Sequence, residues 1–273
     1  MVTKREAAHA IAKTLVTTDP NLLQAHMRLG SIEPLIALCG DVDATQLQQF
    51  EALLALTNLL SVSDSEASKF LKVKGHFKVH YLMFSDNMMV RRAACEVFCN
   101  VPTREEVLKL MRQPEKVRLW LGLCEDWDNK ESESVENPEA LSISRACSGT
   151  LASACSDVEV CKAVLKEEIG GTIVKLLQSK QVELIHRCIV MLNEILETYG
   201  TTEMCMHMLE SGVIAALTEA LKLIQTIGSK FPPGESLIEM SKGCLEILLK
   251  AMKAHEDQKA LDPADTTNRV EEL

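Results

Sequence analysis

The sequence is poor in aromatic rings: two tryptophans, two tyrosines and six phenylalanines make up 4% of 273 residues. Sheets draw on aromatic and β-branched side chains. Against an apolar fraction of 47%, rich in Leu, Ala and Met, that scarcity favours close-packed helices. No apolar run reaches the roughly 18 residues that a membrane-crossing helix needs, so no membrane partner is expected. The opening Met1-Val2-Thr3-Lys4-Arg5-Glu6 has no apolar stretch of the export-signal kind, and a cytoplasmic setting is expected. Catalytic signatures are missing as well. There is no Gly-rich phosphate loop, no G-x-S-x-G and no H-E-x-x-H. His76 and His80 stand one turn apart, but no carboxylate is placed to orient either ring. Neither an enzyme nor a cofactor is expected.

Ten cysteines are present, most of them inside apolar helical stretches (Cys39, Cys95, Cys99, Cys147, Cys188, Cys244). There a free thiol acts as a small hydrophobe, and without an export signal a reducing compartment is the expected setting. Cys95 and Cys99 are one turn apart, yet no second Cys or His pair follows at metal-ligand spacing. A zinc or thiol enzyme is the most distant reading.

Positive charge is also in short supply. The net charge is −10, and two segments account for it. Between Glu125 and Glu139 seven acids face one lysine, and from Glu256 to Leu273 six acids face two bases. The remaining chain is near neutral and lacks the basic face that displaces counterions from a nucleic acid. No nucleic-acid partner is expected, and the acidic stretches read as solvated segments.

What the chain does have is repetition. In Gln49-Phe50-Glu51-Ala52-Leu53-Leu54-Ala55-Leu56-Thr57-Asn58, a large residue stands eight positions before an asparagine. Arg92 and Asn100 repeat that offset, and Arg145 and Ser153 repeat it with serine in the amide's place. Phe50 to Arg92, Asn58 to Asn100 and Arg145 to Arg187 are each 42 residues apart. A helical period in the low forties fits armadillo or HEAT units, and it predicts an all-α solenoid of about five to six repeats. In such arrays the last helix of each unit lines a concave groove.

In order, Thr3 to Thr17 reads as the last helix of an incomplete first repeat, so the array is expected to begin upstream. Helices over Asn21 to Leu29 and Ser31 to Leu38 follow, broken at Gly30, with Ser31 as an N-cap. Groove helices are expected over residues 45–60, 88–101, 139–155, 182–199 and 235–255. Ser63 and Asp157 read as caps of the helices that follow them. Residues 126–138 form an acidic loop, Phe231-Pro232-Pro233-Gly234 a second insertion, and residues 256–273 an acidic, disordered tail after a repeat domain spanning 1–255.

Residues eight apart on a helix differ by about 80° in direction, so each pair lies broadly on one side. Stacking then sets out two ladders: Arg5, Phe50, Arg92, Arg145, Arg187 and Lys242, and beside them Lys13, Asn58, Asn100 and Ser153. An asparagine amide can bond the backbone of an extended peptide without requiring a particular side chain. Arginine can pair with acids or stack on rings. Two alternatives stay open: the asparagines can instead hold neighbouring repeats together, and each arginine can pair with an adjacent unit's acid. Phe50, the one ring in the basic ladder, is either a pocket for a partner's anchor or core packing.

The block from Gln49 to Leu59 with Ser61-Val62-Ser63-Asp64-Ser65 closely resembles the UCS domain of myosin chaperones. So do Val90-Arg91-Arg92-Ala93-Ala94-Cys95-Glu96 with Cys99-Asn100, and Lys116-Val117-Arg118-Leu119-Trp120. The resemblance runs in order from about Ala7 to Leu249. It implies a right-handed armadillo-repeat superhelix that binds a myosin motor domain through its groove and assists its folding or prevents its aggregation. It also implies that positions matching Phe50 and Asn58 touch the client, with Arg91, Arg92 and Asn100 matching family motifs of less defined role. Taking the ladders and the resemblance together, the client groove is expected at Phe50, Asn58, Arg91, Arg92, Asn100, Arg145, Ser153 and Arg187. Animal members recruit a large ATP-driven heat-shock chaperone, the other partner the resemblance brings, through a tetratricopeptide domain that nothing here matches. The rival reading is a general armadillo adaptor for another linear motif.

Overall fold

The computed structural model describes residues 3–128, 138–227 and 234–261. Among them there are fifteen α-helices and no strand. The helices fall into triplets. The single helix α1 (Lys4–Thr17) is counted as the first unit. In the second, a 3₁₀ turn (Pro20–Leu22) precedes α2 (Ala25–Cys39) and α3 (Gln46–Leu60). Four full triplets follow: α4 (Asp64–Lys72), α5 (Gly75–Leu82) and α6 (Met88–Phe98); α7 (Glu105–Met111), α8 (Pro114–Cys124) and α9 (Pro138–Ala154); α10 (Val158–Lys166), α11 (Ile169–Gln178) and α12 (Val182–Tyr199); α13 (Thr202–Glu210), α14 (Val213–Ile227) and α15 (Gly234–Leu261). The closing helices α1, α3, α6, α9, α12 and α15 pack in succession, each on the next. One apolar core runs beneath them from Ala8 to Leu248.

Local sequence sets the starts of these helices. Thr3 and Glu6 form a capping box on α1, and Thr45 and Gln48 form another on α3. Ser63 caps α4 and Asp157 caps α10 through their side-chain oxygens, as their residue types predict. Gly30 departs from expectation. The helix does not break there; α2 runs unbroken through Gly30 and Pro34. Ser31 is no cap, because its hydroxyl donates to the Met27 carbonyl at 2.8 Å within the helix. Burial of Ile32, Leu35, Ile36, Leu38 and Cys39 outweighs the weak helix propensity of one glycine and one proline. Pro34 has no N–H for the Gly30 carbonyl and crowds it, and the glycine backbone gives way most easily at that place.

The turn between the first two helices of a triplet uses a left-handed residue three times: Lys74 (φ 60°), Glu168 (φ 55°) and Gly212 (φ 82°). Only glycine adopts that conformation without cost. Glu168→Gly is therefore expected to stabilise the chain by about 0.5–1 kcal/mol, read as a higher midpoint in urea at unchanged slope.

Nine of the ten thiols are buried as expected, but Cys99 is exposed. Its sulfur lies 3.7 Å from the Thr150 hydroxyl and 3.6 Å from the Ala146 carbonyl, at the α6–α9 seam rather than beneath it. The last helix continues to Leu261, through six residues that composition alone assigns to the tail. Residues 129–137, 228–233 and 262–273, which carry most of the acidic loop, the Phe231 insertion and the rest of the tail, lie outside the described residues. No single helix among the described residues is long and apolar enough to cross a membrane.

Candidate functional site

The row formed by α1, α3, α6, α9, α12 and α15 carries the predicted ladders. Successive rungs touch one another. The Asn58 amide donates to the Leu15 carbonyl at 3.0 Å, and the Asn100 amide donates to the Thr57 carbonyl at 3.1 Å. Both acceptors lie in the last turn of the preceding row helix, where carbonyls run short of backbone donors; the Thr57 carbonyl also takes the Ser61 N–H at 3.3 Å. Each asparagine thus closes the end of the helix before it, and one N–H of each amide is committed to the scaffold. His9 on α1 and Glu51 on α3, themselves 42 residues apart, bond across the same seam. The asparagine ladder stops there. Ser153 is exposed, and its hydroxyl turns back to the Gly149 carbonyl at 3.4 Å. Asn193 donates to Glu197 on its own helix at 2.9 Å. Asn100→Ala is expected to cost about 1 kcal/mol by removing the inter-repeat bond to the Thr57 carbonyl, which keeps only the Ser61 N–H at 3.3 Å. That is a fall of roughly 2–4 °C in a melting scan. Asn193→Ala serves as the comparison, since its amide N–H stays on its own helix and its oxygen meets only the weak Cys244 thiol donor of α15 at 3.9 Å.

The basic ladder is bound up with its neighbours. Arg5 lies 3.8 Å from Asp41 and 3.6 Å from Asp43. The Arg92 guanidinium carbon lies 5.6 Å from the centre of the Phe50 ring, within the range of a cation–π contact, and its Nε lies 3.5 Å from Glu96. Arg145 pairs with Glu183 of the next row helix and donates to Ser142 at 3.1 Å. Arg187 lies across Gly149, so close that a Cβ at that position would strike its guanidinium. The small residue in α9 is therefore what admits the arginine of α12.

Of the eight predicted residues, Phe50 and Arg92 meet directly, and Asn58 and Asn100 sit on adjacent rungs. Arg145 and Arg187 share the α9–α12 seam, while Ser153 stays exposed on α9. Arg91 is the exception: it turns off the row, donating to the Ser85 carbonyl at 3.0 Å and lying 3.5 Å from Asp126. Phe50, Asn58, Arg92 and Asn100 are half-buried, neither sealed nor fully exposed. Sequence reasoning did not single out His9, Glu51, Glu183 or Gly149; the 42-residue interval between His9 and Glu51 was the available signal. Among the described residues no group of three His, Cys, Asp or Glu side chains is placed to hold a metal.

Three-helix units repeating at about 42 residues, with their third helices stacked in a row, make this an armadillo-repeat protein. No family model matches the chain. The chain is homologous to unc-45 homolog B. It is 27% identical over 248 residues to the Danio rerio protein of that name, covering 89% of this chain and 24% of the relative. It thus spans about a quarter of the length of that relative. UNC-45 from Drosophila melanogaster superposes with a TM-score of 0.71 at 26% identity, over 90% of this chain and 29% of that one. A further UNC-45 structure, described by features of the chaperone critical for binding and folding muscle myosin, matches with a TM-score of 0.71 at 22% identity, over 92% of this chain and 26% of that one.

Proposed function

We propose that this chain is a non-enzymatic myosin chaperone of the cytoplasm, and that the row of third helices holds an extended segment of a myosin motor domain. The observation that carries the reading is the half-buried Phe50–Arg92 rung, within a chain homologous to unc-45 homolog B along about nine-tenths of its length. The ring offers an apolar anchor point and the guanidinium beside it a donor for client carbonyls or carboxylates. The oxygen and second N–H of the Asn58 and Asn100 amides can bond a client backbone of any sequence. Holding a part-folded client lowers the concentration free to aggregate by mass action, and needs no ATP.

The test is light scattering of a heated myosin motor domain with parent and Phe50→Ala chains. The variant is expected to lose most of its protection while its own melting shows it folded at the assay temperature. Equal protection by Phe50→Ala would remove the row from the mechanism.

A further inference from the structure

The opposite helical layer carries a second cleft, between the α4–α5 and α7–α8 pairs, of about 500 Å³. Lys72 rims it from the end of α4, Lys74 from the turn before α5, Lys109 from α7 and Lys116 from α8. Glu106 is the one acid on its wall. Lys109 lies 3.7 Å from Glu105, while Lys72, Lys74 and Lys116 make no ion pair among the described residues. In a chain of net charge −10, four amines about one acid stand out as a local reversal of sign.

The walls between the amines are apolar. Leu71 and Leu110 line the cleft, and Phe77 stands at its lip with 54% of its surface exposed. One turn further along α5 and α8, Tyr81 and Leu119 are 79% and 44% exposed. Phe77 thus lies in solvent beside the lysines, with Tyr81 one turn beyond it.

His76 supplies an independent observation. Its side chain lines the cleft and is only 3% exposed, yet the buried Nδ1 has no hydrogen-bond partner. Burial lowers its pKa, with Lys74 adding to the effect and Glu106 opposing it, so the imidazole is neutral at physiological pH. A buried polar atom left unpaired is destabilising unless something arrives to bond it.

We propose that this cleft binds an acidic linear peptide from another protein, with its carboxylates on Lys72, Lys74, Lys109 and Lys116, a backbone or side-chain polar group on His76 Nδ1, and an aromatic or aliphatic anchor against Phe77. The pocketed form and the apolar walls favour a short peptide over a nucleic acid, which needs an extended basic face. The site is separate from the row of third helices, and it stands or falls independently of the chaperone reading.

The experiment is fluorescence anisotropy of a labelled synthetic peptide, Asp-Glu-Phe-Glu-Glu-Leu, against the full chain. Binding is expected to weaken with added salt, and to weaken about tenfold or more in the Lys74→Glu, Lys116→Glu double variant, whose altered side chains are not in the core. Phe50→Ala is expected to bind the probe unchanged. Equal binding of a Lys-for-Asp/Glu version of the peptide, no effect of the double variant, or competition by duplex DNA through the same lysines would each overturn the proposal. A chain ending at Leu261 that binds the probe about tenfold more tightly than the full chain would show the protein's own acidic tail in the cleft, and would overturn the assignment to an outside partner.

Discussion

Trp120→Ala is expected to cost about 3–5 kcal/mol, enough to unfold much of a marginally stable array. The side chain is fully buried and is among the largest in the core. Its ring meets Phe98 edge-on, with centroids 5.1 Å apart and planes at 83°, and His80 completes the cluster, 6.3 Å from Trp120 and 6.4 Å from Phe98. Phe98 belongs to α6 and His80 to α5, so the tryptophan of α8 joins two consecutive repeats. Truncation leaves a cavity at that seam, and neighbouring helices relax into it only partly. Trp120 Nε1 is buried without a partner, so Trp120→Phe removes an unsatisfied donor along with some packing area, and its cost is expected to be roughly 1–2 kcal/mol. Urea unfolding of the two variants separates ring volume from polar satisfaction. A Trp120→Ala chain with the parent's midpoint would deny that this seam holds the array.

The second large effect is expected at Glu66. Its side chain has no exposed surface, and its partner Arg28 has 14%. Arg28 Nε donates to Glu66 Oε1 at 2.7 Å, and the Ser63 hydroxyl donates to the other oxygen. Burial by itself would raise the carboxyl pKa, but the Ser63 hydroxyl and the Arg28 guanidinium together bring it below its ordinary value. A depressed folded pKa gives stability that is complete above the ordinary carboxylate range and is lost as pH falls through the folded value. Arg28→Met strips the pair and leaves a charge in the interior, at an expected cost of about 3–5 kcal/mol near pH 7. Burial then dominates and the carboxyl pKa rises. The variant's deficit against the parent should therefore shrink as pH is lowered to about 5. Adding Glu66→Met to Arg28→Met is expected to restore much of the loss, since a buried pair is often no better than well-packed apolar side chains. Denaturation of the three chains at both pH values is the measurement. A deficit that grows on acidification would contradict the account.

Both sites show what sequence can and cannot carry. The period and the row of third helices were readable because Phe50 and Arg92, and Asn58 and Asn100, keep their spacing and their helix face. Caps such as Ser63 and Asp157 were readable because capping is a local act. The scaffold role of the asparagines could be raised but not decided, because their acceptors are carbonyls of Leu15 and Thr57, and a backbone carbonyl leaves no mark on residue identity. Arg91 and Arg92 look alike in sequence, yet adjacent helical positions point about 100° apart, and only one reaches the Phe50 ring. Gly30 was misread because local propensity was set against five buried side chains that only the tertiary contact reveals. The lysines of the second cleft come from α4, α7, α8 and the turn before α5, so no window of sequence contains them all; the 42-residue step from Lys74 to Lys116 is the single hint.

The buried thiols turn the molecule into its own recorder. Only a thiolate attacks an alkylating reagent at speed, and burial pushes Cys39 and Cys244 up to about 12, with Cys124 and Cys188 also displaced well upward. At neutral pH such sulfurs stay silent until the helices over them part. They are spaced from the second triplet to the sixth, so a timed alkylation followed by mass mapping reads where the solenoid gives way: from its two extremities inward, or everywhere at one instant.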